Sequence, residues 1–376
     1  MKFNYYLPVN LIFGCGTFGS LGSETSKYGK KAFIVTGRNS TKKTGVLDKA
    51  INNLQDAKME VYVFDKVTSN PVTDTVYEGV KECRENGCDV IVALGGGSII
   101  DCAKAIAFAS YNEGDIFDYV YGVKSGDRAM PLIAVPTTCG TGSEGNCFAV
   151  LTNPENNDKK SLRNMASIAK ASIIDPELMT SMPDSVAASV MFDALCHNME
   201  AYISRSTQPL VEMQAMYGVQ LLNKFLYRAY KDHSDMEAWS GVTLASTLGG
   251  MVINMAGVAA PHGMEHPASG LKNIVHGRGL AALAPVIYRE SVSFAPEKFS
   301  DLSRALGGTG AGDFVERIQL LLKQINLETT LSKEGIEEKD VAWMAENCLK
   351  VSAPAMNAHP RVFTKEEIAG LYYRAL

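Results

Sequence analysis

Between residues 32 and 136, short apolar, β-branched runs alternate with stretches of helical periodicity. That alternation limits the first half of the chain to a parallel, doubly wound sheet with helices on its faces. The runs at 32–36, 59–65, 88–94 and 131–136 read as strands, and 43–55, 72–86 and 99–110 as helices. After about residue 183 the texture changes. Asp184 or Ser185 can cap a long helix carrying Asp193 and His197, and helical periodicity then runs to the C-terminus. A chain of 376 residues is too long for one typical core. The expected fold is an α/β Rossmann-like dinucleotide-binding domain over 1–183 and an all-α, metal-binding catalytic domain over 184–376. The cleft between them is the expected active site.

The histidines say most about chemistry. Asp193 and His197 are four residues apart, which puts both side chains on one helical face. His262 and His266 repeat that spacing, and His276 follows ten residues later. Imidazole nitrogens with one carboxylate oxygen suit a divalent transition metal that keeps a position open for substrate.

Three loops bear on a nucleotide. Gly95, Gly96, Gly97 and Ser98 stand where a buried strand becomes a helix, so the backbone can approach a diphosphate and helical N–H groups point at it. Ser98 and Asp101 also fit a capping box that would set the helix start. The spacing is not the GxGxxG fingerprint of an ordinary Rossmann dehydrogenase. The loop from Pro136 to Glu144, rich in hydroxyls and glycine, reads either as a contact for ribose and nicotinamide amide or as a plain surface loop. After the first of these strands, Gly37 and Arg38 are followed by Lys42 and Lys43, with no acid before Asp48. NAD sites normally place a carboxylate near here, so this arrangement would tolerate or attract a 2′-phosphate.

Composition removes other classes. The net charge is −5 and no basic stripe offers itself to nucleic acid. The first residues lack an apolar signal core, and eight scattered cysteines form no CxxC pair, so reduced thiols in the cytoplasm are expected. The uncharged stretch 239–261 is long enough to span a bilayer. Its glycines, hydroxyls and Asn254, the lack of a basic flank and its run into His262 favour a buried core helix.

Taken together, the Gly95–Lys104 segment, the Pro136–Glu144 loop, Asp193 with His197, and His262, His266 and His276 resemble the iron-containing (group III) alcohol dehydrogenases. The resemblance covers nearly the whole chain, in order and spacing. It implies metal ligation by Asp193, His197, His262 and His276, with His266 a non-ligand catalytic histidine near the nicotinamide. It implies cofactor contacts at Gly37, Ser40, Asn70, Gly96, Gly97, Ser98, Thr137, Thr138, Thr141 and Lys160. Gly37 with Lys42 and Lys43, and the Ser143–Asn146 segment, look like the NADP-dependent butanol dehydrogenase branch. Fe²⁺ is the implied ion, with Zn²⁺, Ni²⁺ or Co²⁺ accepted by the same donors. His233 and His359 are expected to be surface or structural residues. The implied activity is reduction of an aldehyde to a primary alcohol with NADP(H), in a homodimer or higher homo-oligomer. A metal-dependent hydrolase, a nucleotide- and metal-binding sensor, and a glycerol dehydrogenase-like polyol oxidoreductase are the competing readings.

Overall fold

Strand β4 (Val90–Gly95) is buried at every residue and forms the middle of the N-terminal sheet. In this computed structural model, which describes residues 2–376, six parallel strands stand in the order β1-β8-β5-β4-β2-β3. The others are β1 (Asn10–Phe13), β2 (Lys31–Gly37), β3 (Glu60–Val67), β5 (Leu132–Pro136) and β8 (Ala171–Ile174). Alternate residues serve opposite faces. Phe33, Val35, Ile91 and Ala93 pack with Val76, Val80 and Phe108 of the Thr73–Glu85 and Gly97–Ala109 helices. Ala32, Ile34, Val90 and Val92 pack with Leu47, Ala50 and Leu54 on the other side. Burial on both faces is why these strands read as continuous apolar runs.

The chain leaves β2 toward β3 and leaves β4 toward β5, so their connections run in opposite directions. Such a switch point opens a crevice at the carboxyl ends of the strands. Gly37 ends β2 and Gly95 ends β4, which brings two of the three candidate loops together there.

Two features differ from the sequence expectation. The short strands β1 and β8 extend the sheet, and an antiparallel hairpin, β6 (Phe148–Thr152) with β7 (Lys159–Arg163), stands beside it. Strands of four or five residues carry too little pattern to find by periodicity. The capping box is not made. The helix begins at Gly97 with Gly96 as its cap and no side-chain cap bond. The Asp101 carboxylate instead accepts from Ser143 Oγ at 2.6 Å and from the Val150 N–H at 3.1 Å, tying the helix to the loop and hairpin.

Beyond Asp184 the described residues are helical. The Asp184–Ile203, Pro209–Lys231 and Met236–Ala256 helices pack around Phe192, Leu195, Leu222 and Trp239. The uncharged stretch forms most of the third of these helices. The chain then bends by 100° into the Ala260–Lys272 helix. Gly257 makes the turn with φ 70, a left-handed conformation that glycine adopts without a Cβ penalty. No single helix among the described residues is long and apolar enough to cross a membrane. The bend aims His262 back at the helix that carries Asp193.

Candidate metal centre

Three helices meet at the carboxylate of Asp193. Its Oδ1 lies 3.2 Å from His262 Nε2, 3.6 Å from His276 Nε2 and 3.6 Å from His197 Nδ1. Asp193 and His197 come from the Asp184–Ile203 helix, His262 from Ala260–Lys272, and His276 opens the His276–Arg289 helix. Donor atoms of Asp193, His262 and His276 lie within 4.8 Å of one another. His197 stands just outside that group, its ring stacked on His262 with centroids 4.4 Å apart. Glu265, His266 and His276 form a second, adjoining group of the same kind.

His262 and His276 are held from behind. His262 Nδ1 donates to Glu200 Oε1 at 2.7 Å, and the Ala259 N–H donates to the other oxygen of that carboxylate at 2.6 Å. His276 Nδ1 donates to Glu265 Oε2, and His197 Nδ1 stands 3.3 Å from the Gly140 carbonyl. With Nδ1 so engaged on His262 and His276, their Nε2 lone pairs face the Asp193 oxygen. That arrangement needs a positive charge between them.

Charge preferences agree. Burial pushes the Asp193 carboxyl up, but the surrounding His197, His276 and His262 outweigh it and hold the group well below the usual carboxylate range. Burial pushes His262 down, yet Glu200 and Asp193 prevail and raise it to about 10. His197 falls to about 3 because burial exceeds the pull of Asp193. Burial and the nearby Lys159 hold His266 well below the ordinary histidine range. Three imidazoles and one carboxylate are a donor set for a divalent transition metal, and the residues present fit one.

A cleft of about 620 Å³ runs from the ends of β2 and β4 to this centre. Gly37, Ser40, Asn70, Gly96, Gly97, Ser98, Thr138 and Thr141 line it from one side, and Asp193 and His276 from the other. A Cβ at Gly97 would stand 2.3 Å from the Thr141 side chain, so the helix start and the loop approach as closely as they do only with glycine there. Asn70 crosses the cleft, its Nδ2 donating to Asn273 Oδ1 at 2.7 Å. The loop after β5 is no surface loop. Ser143 and Glu144 are buried, and Gly142, at φ 58, lies against the backbone of Ser246 and Gly250.

Two sequence-predicted contacts fall elsewhere. Thr137 gives its N–H to the Gly95 carbonyl and is not among the residues lining the cleft. Lys160 donates to the Val351 carbonyl at 2.6 Å in a separate cavity. Its neighbour Lys159 is the lysine that lines the chamber around the histidines, 3.7 Å from Glu265. The sheet also corrects the charge picture near Gly37. Lys42 is paired with Asp65 of β3, so of the basic residues read near Gly37 only Arg38 lines the cleft. His359 is fully buried, bonded to Ser291, and His233 bonds Thr180 and Asp184; both are structural. All eight cysteines are unpaired.

Glu200 and Glu265 were missed in the sequence. Glu200 lies seven residues after Asp193, on the same helical face, and Glu265 sits inside the His262–His266 segment. An acid on an otherwise apolar helix beside candidate ligands was the available signal.

Residues 8–176 match the family described as iron-containing alcohol dehydrogenase, and residues 187–376 match the C-terminal region of that family. The chain is 34% identical to the 1,3-propanediol dehydrogenase of Klebsiella pneumoniae, over 99% of this chain and 98% of the relative. It is 36% identical to the NADH-dependent butanol dehydrogenase B of Clostridium acetobutylicum, over 76% and 74%. Its structure superposes on that of an archaeal halo-thermophilic alcohol dehydrogenase from a Red Sea brine pool with a TM-score of 0.95. Identity there is 32%, with 100% of this chain and 99% of the other covered.

Proposed function

The chain belongs to the iron-containing alcohol dehydrogenase family, and on that premise we propose that it interconverts an aldehyde and a primary alcohol with NADP(H). One divalent ion is held by Asp193, His197, His262 and His276. The observation that carries this reading is the junction of two spaces: Asn70, Ser98, Thr141 and His276 line both the nucleotide-sized cleft and the chamber of the histidines. A hydrolase needs no such cleft beside its metal.

When bound, the ion supplies Lewis acidity to the carbonyl oxygen and the nicotinamide supplies the hydride. The chain's own task is positioning. Backbone N–H groups at Gly97 and Ser98, at a helix N-terminus, receive the diphosphate. Thr138 and Thr141 offer hydroxyls along the cleft. Glu200 and Glu265 orient His262 and His276. His266 borders the chamber without belonging to the Asp193 group, and in this reading it exchanges a proton with the substrate oxygen.

NADP(H) is favoured because the cleft beside Gly37 is lined by Arg38, Asn39 and Ser40 and by no carboxylate at that end. The similar butanol dehydrogenase named above is described as NADH-dependent, so nucleotide choice is a property to be measured on this chain.

The test is an aldehyde panel assayed with NADPH and NADH after the protein is stripped and reconstituted with Fe²⁺, Zn²⁺, Ni²⁺ or Co²⁺. Turnover is expected, and His262→Ala should lose both tight metal binding and turnover. Absence of nicotinamide oxidation with every aldehyde and every metal would overturn the reading.

A further inference from the structure

Lys104 is completely buried, on the same Gly97–Ala109 helix whose first residues face the nucleotide cleft. Its ammonium has four acceptors. They are the Ser143 carbonyl at 2.6 Å, Ser143 Oγ at 2.8 Å, the Phe148 carbonyl at 2.8 Å and Asn146 Oδ1 at 3.0 Å. All four belong to the segment between β5 and β6 or to the first residue of β6. An ammonium has three N–H groups to share among these oxygens. A neutral amine has two, and turns a lone pair toward oxygens that have no proton to give it.

The clamped segment reaches the cofactor. The Ser143 N–H donates to Thr141 Oγ1 at 3.2 Å, and Thr141 lines both the nucleotide cleft and the histidine chamber. Asp101, Ser143 and Asn146 line the chamber as well, whereas Lys104 lines neither space. Burial pushes the Lys104 ammonium down to about 8, against the pull of Asp101, Cys147 and Glu144. Asp101 faces it from its own helix, and Glu144 and Cys147 from the segment after β5. From β7, the charge of Lys159 reaches Asp101 and that of Arg163 reaches Cys147. β6 carries no titratable side chain. Burial raises the Cys147 thiol above its ordinary range, so it loses its proton later than Lys104 does.

We infer that Lys104 is a positioning residue for the dinucleotide: as an ammonium it clamps the 143–148 segment to the helix that receives the diphosphate, and loss of its proton to solvent loosens that segment and weakens nucleotide binding. The inference rests on the alcohol dehydrogenase reading, which puts a dinucleotide in the cleft. Lys104 acts through Ser143 and Thr141 and touches neither nucleotide nor substrate. Because the ammonium is the clamping form, affinity is full below the pH at which Lys104 titrates and is lost as pH rises through it.

The experiment titrates the metal-free full chain with NADPH and with NADH, following nucleotide fluorescence from about pH 6.5 to about pH 9.5, so the readout does not depend on turnover. Wild-type affinity should be level to about pH 7.5 and fall about tenfold by about pH 9.5. The same break with NADH, which lacks the 2′-phosphate, separates the lysine from that phosphate. Lys104→Met has a similar length and no charge. It should bind at least tenfold more weakly at neutral pH, the scale of one charge-assisted hydrogen bond, and show no break. Asn146→Asp sets a carboxylate oxygen 3.0 Å from the ammonium. It should move the break up by about one pH unit, and it carries the test if Lys104→Met does not fold by circular dichroism. A merely structural lysine would lower the unfolding midpoint of Lys104→Met and leave the break in place. Level wild-type affinity across the range, a break seen with NADPH alone, or a break unmoved in either variant would overturn the inference and leave the alcohol dehydrogenase reading intact. No binding of either nucleotide at any pH would overturn that reading and the inference with it.

Discussion

Gly37→Asp should reverse the nucleotide preference. The substitution fits: a Cβ at this position would meet Ile99 Cδ1 at 3.4 Å and the Val67 carbonyl at 3.6 Å, and the backbone is not left-handed. The new carboxylate would stand at the end of β2, in the wall of the nucleotide cleft. A doubly charged 2′-phosphate about 5 Å from it, in nearly aqueous surroundings, would be repelled by ~1.7 kcal/mol. Hydrogen bonds from the ribose hydroxyls of NADH to the same carboxylate add ~1.5 kcal/mol in the opposite nucleotide's favour. In the wild type, Arg38 is the cation lining this part of the cleft, because Lys42 is held by Asp65. Its contribution, discounted for solvent, is ~1–1.5 kcal/mol, or roughly a tenfold preference for NADPH. Gly37→Asp should therefore move the ratio of kcat/KM for NADPH over NADH by about two hundredfold, from near ten to near one-twentieth. Asp65→Asn is the companion variant: freeing Lys42 should raise the NADPH preference severalfold, and salt should reduce that gain. The assay is initial-rate kinetics with each nucleotide at saturating aldehyde. Equal use of both nucleotides by the wild type, unmoved in Gly37→Asp, would refute the argument that this wall reads the 2′ position.

Three further outcomes follow from the geometry. Glu200→Gln, which weakens the acceptor behind His262, should reduce metal affinity about 10–100-fold in a chelator competition while leaving the fold intact by circular dichroism. His266→Ala should keep its metal, measured by elemental analysis, and lose turnover in the range of ~10²–10⁴-fold; loss of metal would make His266 a ligand. Gly142→Ala should destabilise by ~2–5 kcal/mol, seen as a lower unfolding midpoint, because the residue is left-handed and its Cβ would sit 2.4 Å from the Gly250 nitrogen.

The alternation of strands and helices, the glycine triplet and the histidine spacings all lie in local sequence, and each was legible there for a local reason. A strand buried on both faces must be apolar throughout, and β4 is. Two ligands on one helical face must stand three or four residues apart, and Asp193 and His197 do. Contacts between distant segments had no such signature. The pairing of Lys42 with Asp65 depends on β2 and β3 lying side by side, so a charge counted as free along the chain is neutralised in space. Asp101, which fits a cap three residues after Ser98, is drawn instead to Ser143, forty-two residues away. The alternation of β7 turns Lys159 toward the histidines and leaves Lys160 in the next cavity, a distinction made by the pleat and by the hairpin's position rather than by composition. Local spacing and residue type mark out which side chains can bind a metal and a nucleotide. Which of them face one another follows from long-range folding, because the 100° bend after Ala256 and the sheet's switch point at β2 and β4 bring together groups separated by more than two hundred residues.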